Sequence, residues 1–267
     1  MVEFYLKFTE EILLAVVSNR QLIFLKKLDM IEDIAYYLKG MSVENVHCLF
    51  QGNVVNEIPD DAFVLSSFSK SNNSWHFVVS NKDIELLRDL CTSVNVKGLY
   101  VYSYFDYIKS KFKYFDNVIV VDNYFNNYCI MYLNNGVMKD YYSCDKDSLI
   151  KRIAFFKKIY SCPTRNAKDK LTGLDIPINE NYMAILSGLL SNNELIPEDV
   201  LINLDFISYF YLTKSKSIIS ETDFTSIMEE LRSNIYLDEE PVTEDPNKDK
   251  PLKKERKGFL SRLLGGR

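Results

Sequence analysis

The sequence predicts an α/β protein built from two β-β-β-α units, and three observations carry that expectation. Residues 1–40 and 117–160 each hold three consecutive strand-like runs followed by one helical run. Only 9 Gly and 7 Pro occur in 267 residues, too few for a turn-dense β-sandwich or for several glycine-rich binding loops. A doubly wound fold would alternate one strand with one helix, which this order does not do.

The first unit opens with MVEFYLKF, which alternates in part, followed by the β-rich EILLAVVS. A turn at Ser18-Asn19-Arg20 leads to QLIFLKKLD, a third strand. MIEDIAYYLKG then places Ile31, Ile34, Ala35 and Leu38 on one helical face and stops at Gly40. NVHCLFQG reads as a strand. Residues 51–75 carry a weaker pattern and read as loop-rich, with Asn-rich punctuation at Ser71-Asn72-Asn73-Ser74. WHFVVS is a strand, and KDIELLRDLCTSVN a helix lined by Ile84, Leu87, Leu90 and Cys91. KGLYVYSYFDYIKSKF starts β-rich and ends ambiguously.

In the second unit NVIVVDN is a near-continuous apolar run of the kind that fills a buried strand. NYCIMYL pairs with it after a polar turn, and VMKDYYS follows Asn134-Asn135-Gly136, a strong hairpin signal. Asp145 caps the helix DKDSLIKRIAFFKKIY, which ends before Pro163. Residues 163–180 are a polar connection. NENYMAILSGLLSN is a helix with Met183, Ile185, Leu186, Leu189 and Leu190 on its apolar face, and ETDFTSIMEELRS is a last helix. The two units share order and no readable identity. The expected division is 1–116, 117–235, an acidic disordered linker at 236–251, and a basic tail at 252–267.

Composition excludes several functions. A formal net charge of −5 gives no reason to expect nucleic acid. The five cysteines, Cys48, Cys91, Cys129, Cys144 and Cys162, include no CxxC pair and read as small core residues. His47 and His76 have no Cys or carboxylate at catalytic spacing, and no metal site is expected. No GxSxG, P-loop or HExxH motif occurs. The charged N-terminal run is no signal peptide, and no apolar stretch reaches the ~18 residues of a membrane span. The sequence therefore predicts a cytoplasmic protein.

The duplicated β-β-β-α order resembles the ribonuclease-H-like halves of actin-like proteins, and in particular the PilM/GspL family of type IV pilus and type II secretion machines. VIVVDNYFNNYCIMYLNNGVMKDYYS is similar to that family's second phosphate-loop hairpin, and NYMAILSGLLSNNELIPEDVLINL to its late helix. The resemblance implies a reduced actin-like fold over roughly residues 1–205. It also implies a vestigial nucleotide site at Asp122, Asn126, Asn127, Ser187 and Gly188. An actin-like ATPase needs Asp-x-Gly loops, because phosphate approaches backbone only where there is no Cβ, and Asp helps to place Mg²⁺. Here the first hairpin reads FTEEIL, the second puts Asn123-Tyr124-Phe125 after Asp122, and Ser187-Gly188 keeps one glycine of a pair. The expectation is a protein without ATPase activity and with no cofactor; bound ATP and Mg²⁺ are the alternative. Asp122 itself reads either as a water-mediated metal holder or, more commonly for a strand-end Asp, as a turn cap.

The tail carries a separate signal. Phe259, Leu260, Leu263 and Leu264 share one helical face, ringed by Lys253, Lys254, Arg256, Lys257 and Arg262. This resembles the membrane-targeting helix of the actin-like protein FtsA. Burying Phe and three Leu contributes at most ~6–12 kcal/mol, while ordering the helix costs on the order of 10 kcal/mol. Each basic residue adds about 1 kcal/mol at an anionic surface. The tail is thus a weak, reversible anchor. The expected function is a non-catalytic cytoplasmic scaffold at the inner face of the membrane. Its expected partners are a PilN-like cytoplasmic segment of an inner-membrane protein, an assembly ATPase, and the membrane surface. The alternative is an ATP-binding actin-like protein that polymerises at the membrane.

Overall fold

The computed structural model describes residues 1–9, 11–70, 73–124, 127–167, 206–207, 209–210, 213, 215–220 and 224–226. The chain opens with β1 (Val2–Phe8), β2 (Ile12–Ser18) and β3 (Gln21–Leu28). A 3₁₀ turn at Ile31–Asp33 leads into α1 (Ile34–Gly40) and then β4 (Val43–Phe50). Next come β5 (Asn53–Val55), β6 (Ala62–Lys70), β7 (Asn73–Ser80) and α2 (Asn81–Ser93). β8 (Gly98–Ser103) and α3 (Tyr104–Lys111) follow. The second unit is β9 (Asn117–Tyr124), β10 (Asn127–Asn134), β11 (Val137–Cys144), α4 (Lys146–Tyr160) and β12 (Thr164–Asn166).

The first sheet has the order β3-β2-β1-β4-β8, with an antiparallel meander of three strands extended by β4 and β8 in parallel. Strand alternation explains its two cores. Phe4, Leu6 and Phe8 of β1 point to one side, where Ile34 and Leu38 of α1 and Ile84 and Leu87 of α2 cover them. Tyr5 points to the other side and joins Leu49 of β4 and Tyr102 of β8. Asn19 and Arg20 both take positive φ in the two-residue turn between β2 and β3, the geometry that matches strand twist.

The second sheet repeats the pattern as β11-β10-β9-β12, with α4 returning the chain so that β12 lies parallel to β9. Asn135 (φ 48) and Gly136 (φ 73) make the predicted hairpin turn. Asp145 caps α4 by accepting from the Ser148 N–H at 2.7 Å. Both sheets thus show the three-two-one-four strand order of the ribonuclease-H-like, actin-like fold, as expected from the sequence. The polar connection beyond residue 167, the helix containing Ser187 and Gly188, the linker and the tail lie outside the described residues.

The loop-rich reading of residues 51–75 needs correction: they hold β5 and β6, which flank β7 in a third sheet of order β5-β7-β6. Ser66, Ser67 and Ser69 break the apolar alternation of β6, and a bulge between Val64 and Ser66 shifts its register, so the strand exists through pairing with β7. The ambiguous stretch after Gly98 switches from strand to helix at Ser103, whose hydroxyl accepts from the Asp106 N–H.

Aromatic side chains join the three sheets. Phe77 of the inserted sheet stacks on Phe105 of α3 at 3.7 Å and meets Tyr141 of β11 edge-on at 5.8 Å. Between the inner faces of the two larger sheets, Tyr102, Tyr209 and Phe210 pack edge-on and Phe206 closes against Phe210. These rings belong to one buried cluster that includes Val118, Val120 and Met131 of the second sheet.

Candidate functional site

A cleft of about 700 Å³ opens between the inserted sheet and the β10–β11 hairpin. One wall is β5, the edge strand of the inserted sheet, which contributes Asn53 and Val54, with Asn56 just beyond it. Asn56 Nδ2 donates to the Ser74 carbonyl at 2.7 Å, continuing the β5 edge past its last paired residue. The floor carries Asn73 and Trp75 of β7; Trp75 is braced against Phe68 at 5.1 Å and Tyr141 at 6.3 Å.

The opposite wall is β11, the outer strand of the second sheet. Asp140, Tyr141, Tyr142 and Ser143 all line the cleft. Successive side chains of a strand alternate between faces, so four consecutive lining residues mean that the strand edge itself forms the wall. Tyr141 belongs to the inner core and Tyr142 packs on the α4 side, in keeping with that geometry.

The cleft's charges are internally matched. Lys70 Nζ lies 2.6 Å from Asp140 Oδ2, and the Tyr160 hydroxyl donates to the same oxygen. Asp140 Oδ1 accepts from the Tyr141 N–H at 3.0 Å. The hydrogen bond to Asp140 holds the Lys70 ammonium above its usual pKa, and burial beside the carboxylate raises that of Tyr160. Lys70 and Asp140 are the charged residues among the described lining, so the cleft is electrically neutral and rich in amides. It suits an uncharged ligand that donates and accepts hydrogen bonds along its length.

Of the predicted nucleotide residues, Asp122 and Asn127 are among the described residues, and Asn127, which begins β10, alone of these two lines the cleft. Asp122 is not a strand-end residue, since β9 runs on to Tyr124; it is 1% exposed, opposite Cys129, and its Oδ1 accepts from the Asn123 N–H at 2.9 Å. At the β1–β2 turn, Glu11 pairs with Lys27 at 2.6 Å. Asn126, Ser187 and Gly188 lie outside the described residues, as do Lys253, Lys254, Arg256, Lys257, Phe259, Leu260, Arg262, Leu263 and Leu264. Among the described residues, no group of three potential metal ligands occurs, and no helix is long and apolar enough to cross a membrane. The sequence reading missed Asn53, Asn56, Asn73, Lys70 and Asp140. The Asn-rich punctuation at residues 71–74 marks Asn73, and no local pattern marks the other four.

A second polar cluster sits on the inner face of the first sheet. Glu3 accepts from the Tyr5 hydroxyl at 2.8 Å and from Asn45 Nδ2 at 3.2 Å, and His47 Nε2 lies 3.9 Å away. The His47 ring is stacked between Tyr5 and Tyr100, each at 4.9 Å. The His47 imidazole beside it, then hydrogen bonds from Tyr5 and Asn45, outweigh burial and bring the Glu3 carboxyl down to about 2. This is a tightly held structural carboxylate, with both rings of the stack committed to packing.

No family model matches the sequence, and no curated protein sequence does. Among solved structures, a Bacteroides thetaiotaomicron protein with an actin-like ATPase fold and unknown function covers 78% of this chain and 95% of its own. Its identity is 11% and its TM-score 0.43. The cytoplasmic domain of EpsL, an inner-membrane component of the type II secretion system of Vibrio cholerae, covers 83% and 99% at 10% identity and TM-score 0.43. An Aquifex aeolicus member of the Ppx/GppA family covers 88% and 99% at 10% identity and TM-score 0.29. Likeness at this level transfers no activity, and the fold assignment rests on the strand order of the two sheets.

Proposed function

We propose that this protein is a non-catalytic docking scaffold of a membrane-associated assembly machine of the type IV pilus or type II secretion kind. Its cleft holds an extended segment of a partner, the cytoplasmic segment of an inner-membrane protein. The observation that carries this reading is the pair of open strand edges, β5 and β11, facing one neutral, asparagine-lined cleft. Unpaired edge N–H and C=O groups are the complement of a peptide backbone, and strand addition is a common way to bind one. The amides of Asn53, Asn56, Asn73 and Asn127 extend that complement. Nucleotide is disfavoured there because the cation in the lining, Lys70, is committed to Asp140. In the sequence, the basic amphipathic tail supports a position at the inner face of the membrane, and an assembly ATPase is the expected second partner.

Two titrations test the reading. Calorimetry with Mg-ATP should show no heat of binding; a saturable heat would favour the ATP-binding actin-like alternative. Short random peptides displayed on phage should yield binders. A synthetic copy of the best binder should lose at least about tenfold in affinity when its backbone nitrogens are methylated, because each lost donor removes an edge hydrogen bond. Asn53→Trp, which fills the cleft, should abolish binding. Peptides that bind equally well to the filled cleft, or a selection that yields none, would remove the basis of the proposal.

A further inference from the structure

α4 covers the outer face of the second sheet with Leu149, Ile153, Phe156 and Tyr160. It runs antiparallel to β11. Arg152 lies over the Tyr142 ring at 4.4 Å, and further along the helix the Tyr160 hydroxyl donates to Asp140, which comes earlier in the strand. The flank of α4 above the β11 edge therefore carries Arg152, Phe155 and Ile159, which helical geometry sets within about 60° of one another. Phe155 and Ile159 are 53% and 52% exposed, although such side chains are ordinarily covered. Ile150 stands on the opposite flank, with Lys151 and Lys158 between, so this stripe is one-sided. Arg152 pairs with no carboxylate among the described residues.

The stripe lies beside an open strand edge, since β11 is the outer strand of its sheet. A strand added there would run about 4.8 Å beyond β11, its side chains turned alternately toward the cleft and toward α4. On β11 itself Tyr142 and Cys144 are the α4-facing residues and Tyr141 faces inward. The spacings agree. Phe155 and Ile159 are about 6 Å apart along the helix axis, and successive same-face residues of a strand are about 6.7 Å apart. The shape decides between a chain segment and a second folded copy. β11 faces the inserted sheet across a cleft of about 700 Å³, which has room for an extended segment and not for the edge of another domain.

We infer that the Arg152-Phe155-Ile159 flank is the side-chain-reading surface of the docking edge. The partner segment pairs with β11 as an extended strand and sets two apolar side chains, at positions i and i+2, against Phe155 and Ile159. A carboxylate at the next alternate position, beside the residue that meets Phe155, reaches Arg152. The inference rests on the docking reading above and deepens it. Edge groups and cleft amides recognise any extended backbone, whereas the α4 flank selects an alternating apolar, acid-ended one.

The test selects binders from a random-peptide phage library on the full chain and follows a labelled synthetic copy of the best one by fluorescence anisotropy. Selected sequences should share two apolar residues at i and i+2 with an acid at the next alternate position. Phe155→Ser with Ile159→Ser should weaken the synthetic peptide by at least about tenfold. Phe155→Leu with Ile159→Val, which keeps the apolar surface, should retain most of the affinity. Arg152→Gln should cost about threefold at low salt, and nothing further once the peptide's acid is replaced by its amide. Phe155 and Ile159 are exposed, so their variants should keep the parent melting temperature. Binders that need their backbone N–H groups and are lost with Asn53→Trp, yet lack the pattern or ignore Phe155→Ser with Ile159→Ser, overturn this inference and leave the docking reading standing. A selection that yields no binder ends both. A dimer seen by sedimentation velocity in the parent and lost in the double serine variant overturns the inference in favour of a second copy of this chain.

Discussion

Lys70 Nζ meets Asp140 Oδ2 at 2.6 Å and ties the tip of the inserted hairpin to the outer strand of the second sheet, across 70 residues of chain. Both residues line the cleft, and Asp140 Oδ1 also accepts from the Tyr141 N–H at 3.0 Å.

That contact should be measurable as a coupling. Lys70 is 44% exposed and Asp140 19%, so solvent screens the pair. A double-mutant cycle with Lys70→Met and Asp140→Asn should give a coupling energy of about 1 kcal/mol by urea denaturation, shrinking at high salt. Asp140→Asn alone should lower the melting temperature more than Lys70→Met, because it also weakens the bond to Tyr160.

Glu3 sets a pH dependence. Its carboxyl is held near 2, below its ordinary value of 4.5, so the native state favours the ionised form. The stabilisation is complete above about pH 4.5 and is lost as pH falls through about 2. Glu3→Gln should cost about 1–2 kcal/mol at neutral pH, after allowance for solvent screening of this half-buried group. The difference between wild type and variant should vanish by about pH 2. Denaturation curves across that range provide the check, and a pH-independent difference would contradict the assignment.

Gly52 holds the turn into β5. Its φ is +68°, and a Cβ there would lie 2.6 Å from the Val78 carbonyl oxygen, a backbone atom that cannot move aside. Gly52→Ala should destabilise the protein by about 2–3 kcal/mol and displace β5 from β7. Peptide binding in the cleft should fall with it, while the melting of the first sheet remains cooperative.

Phe105 is fully buried and stacked on Phe77, where α3 meets the inserted sheet. Phe105→Ala should cost about 3–5 kcal/mol in urea denaturation. Phe105→Leu, which keeps most of the volume, should cost roughly half as much.

Much of the architecture was legible in the chain because it is written in local patterns. The alternation of Phe4, Leu6 and Phe8, the Asn135-Gly136 turn and the Asp145 cap each act within a few residues, and each appears in the structure where the pattern placed it. β6 was not legible. Its serines match no apolar period, and only the partner strand β7 makes it a strand. Asp122 looked like a strand end for a similar reason: polar residues follow it, yet pairing with β10 carries β9 two residues further.

The sequence by itself determined the two β-β-β-α units, the glycine-poor hairpins and the basic, apolar tail, since periodicity, turn chemistry and composition are properties of short segments. Tertiary structure alone decided the cleft and the α4 flank beside it. A strand edge is open or paired according to which strands lie beside it, and Lys70 finds Asp140 only because the inserted sheet packs against β11. The helix pattern at residues 145–160 was plain. That Phe155 and Ile159 are left outside while Phe156 is covered depends on which side of α4 the second sheet occupies.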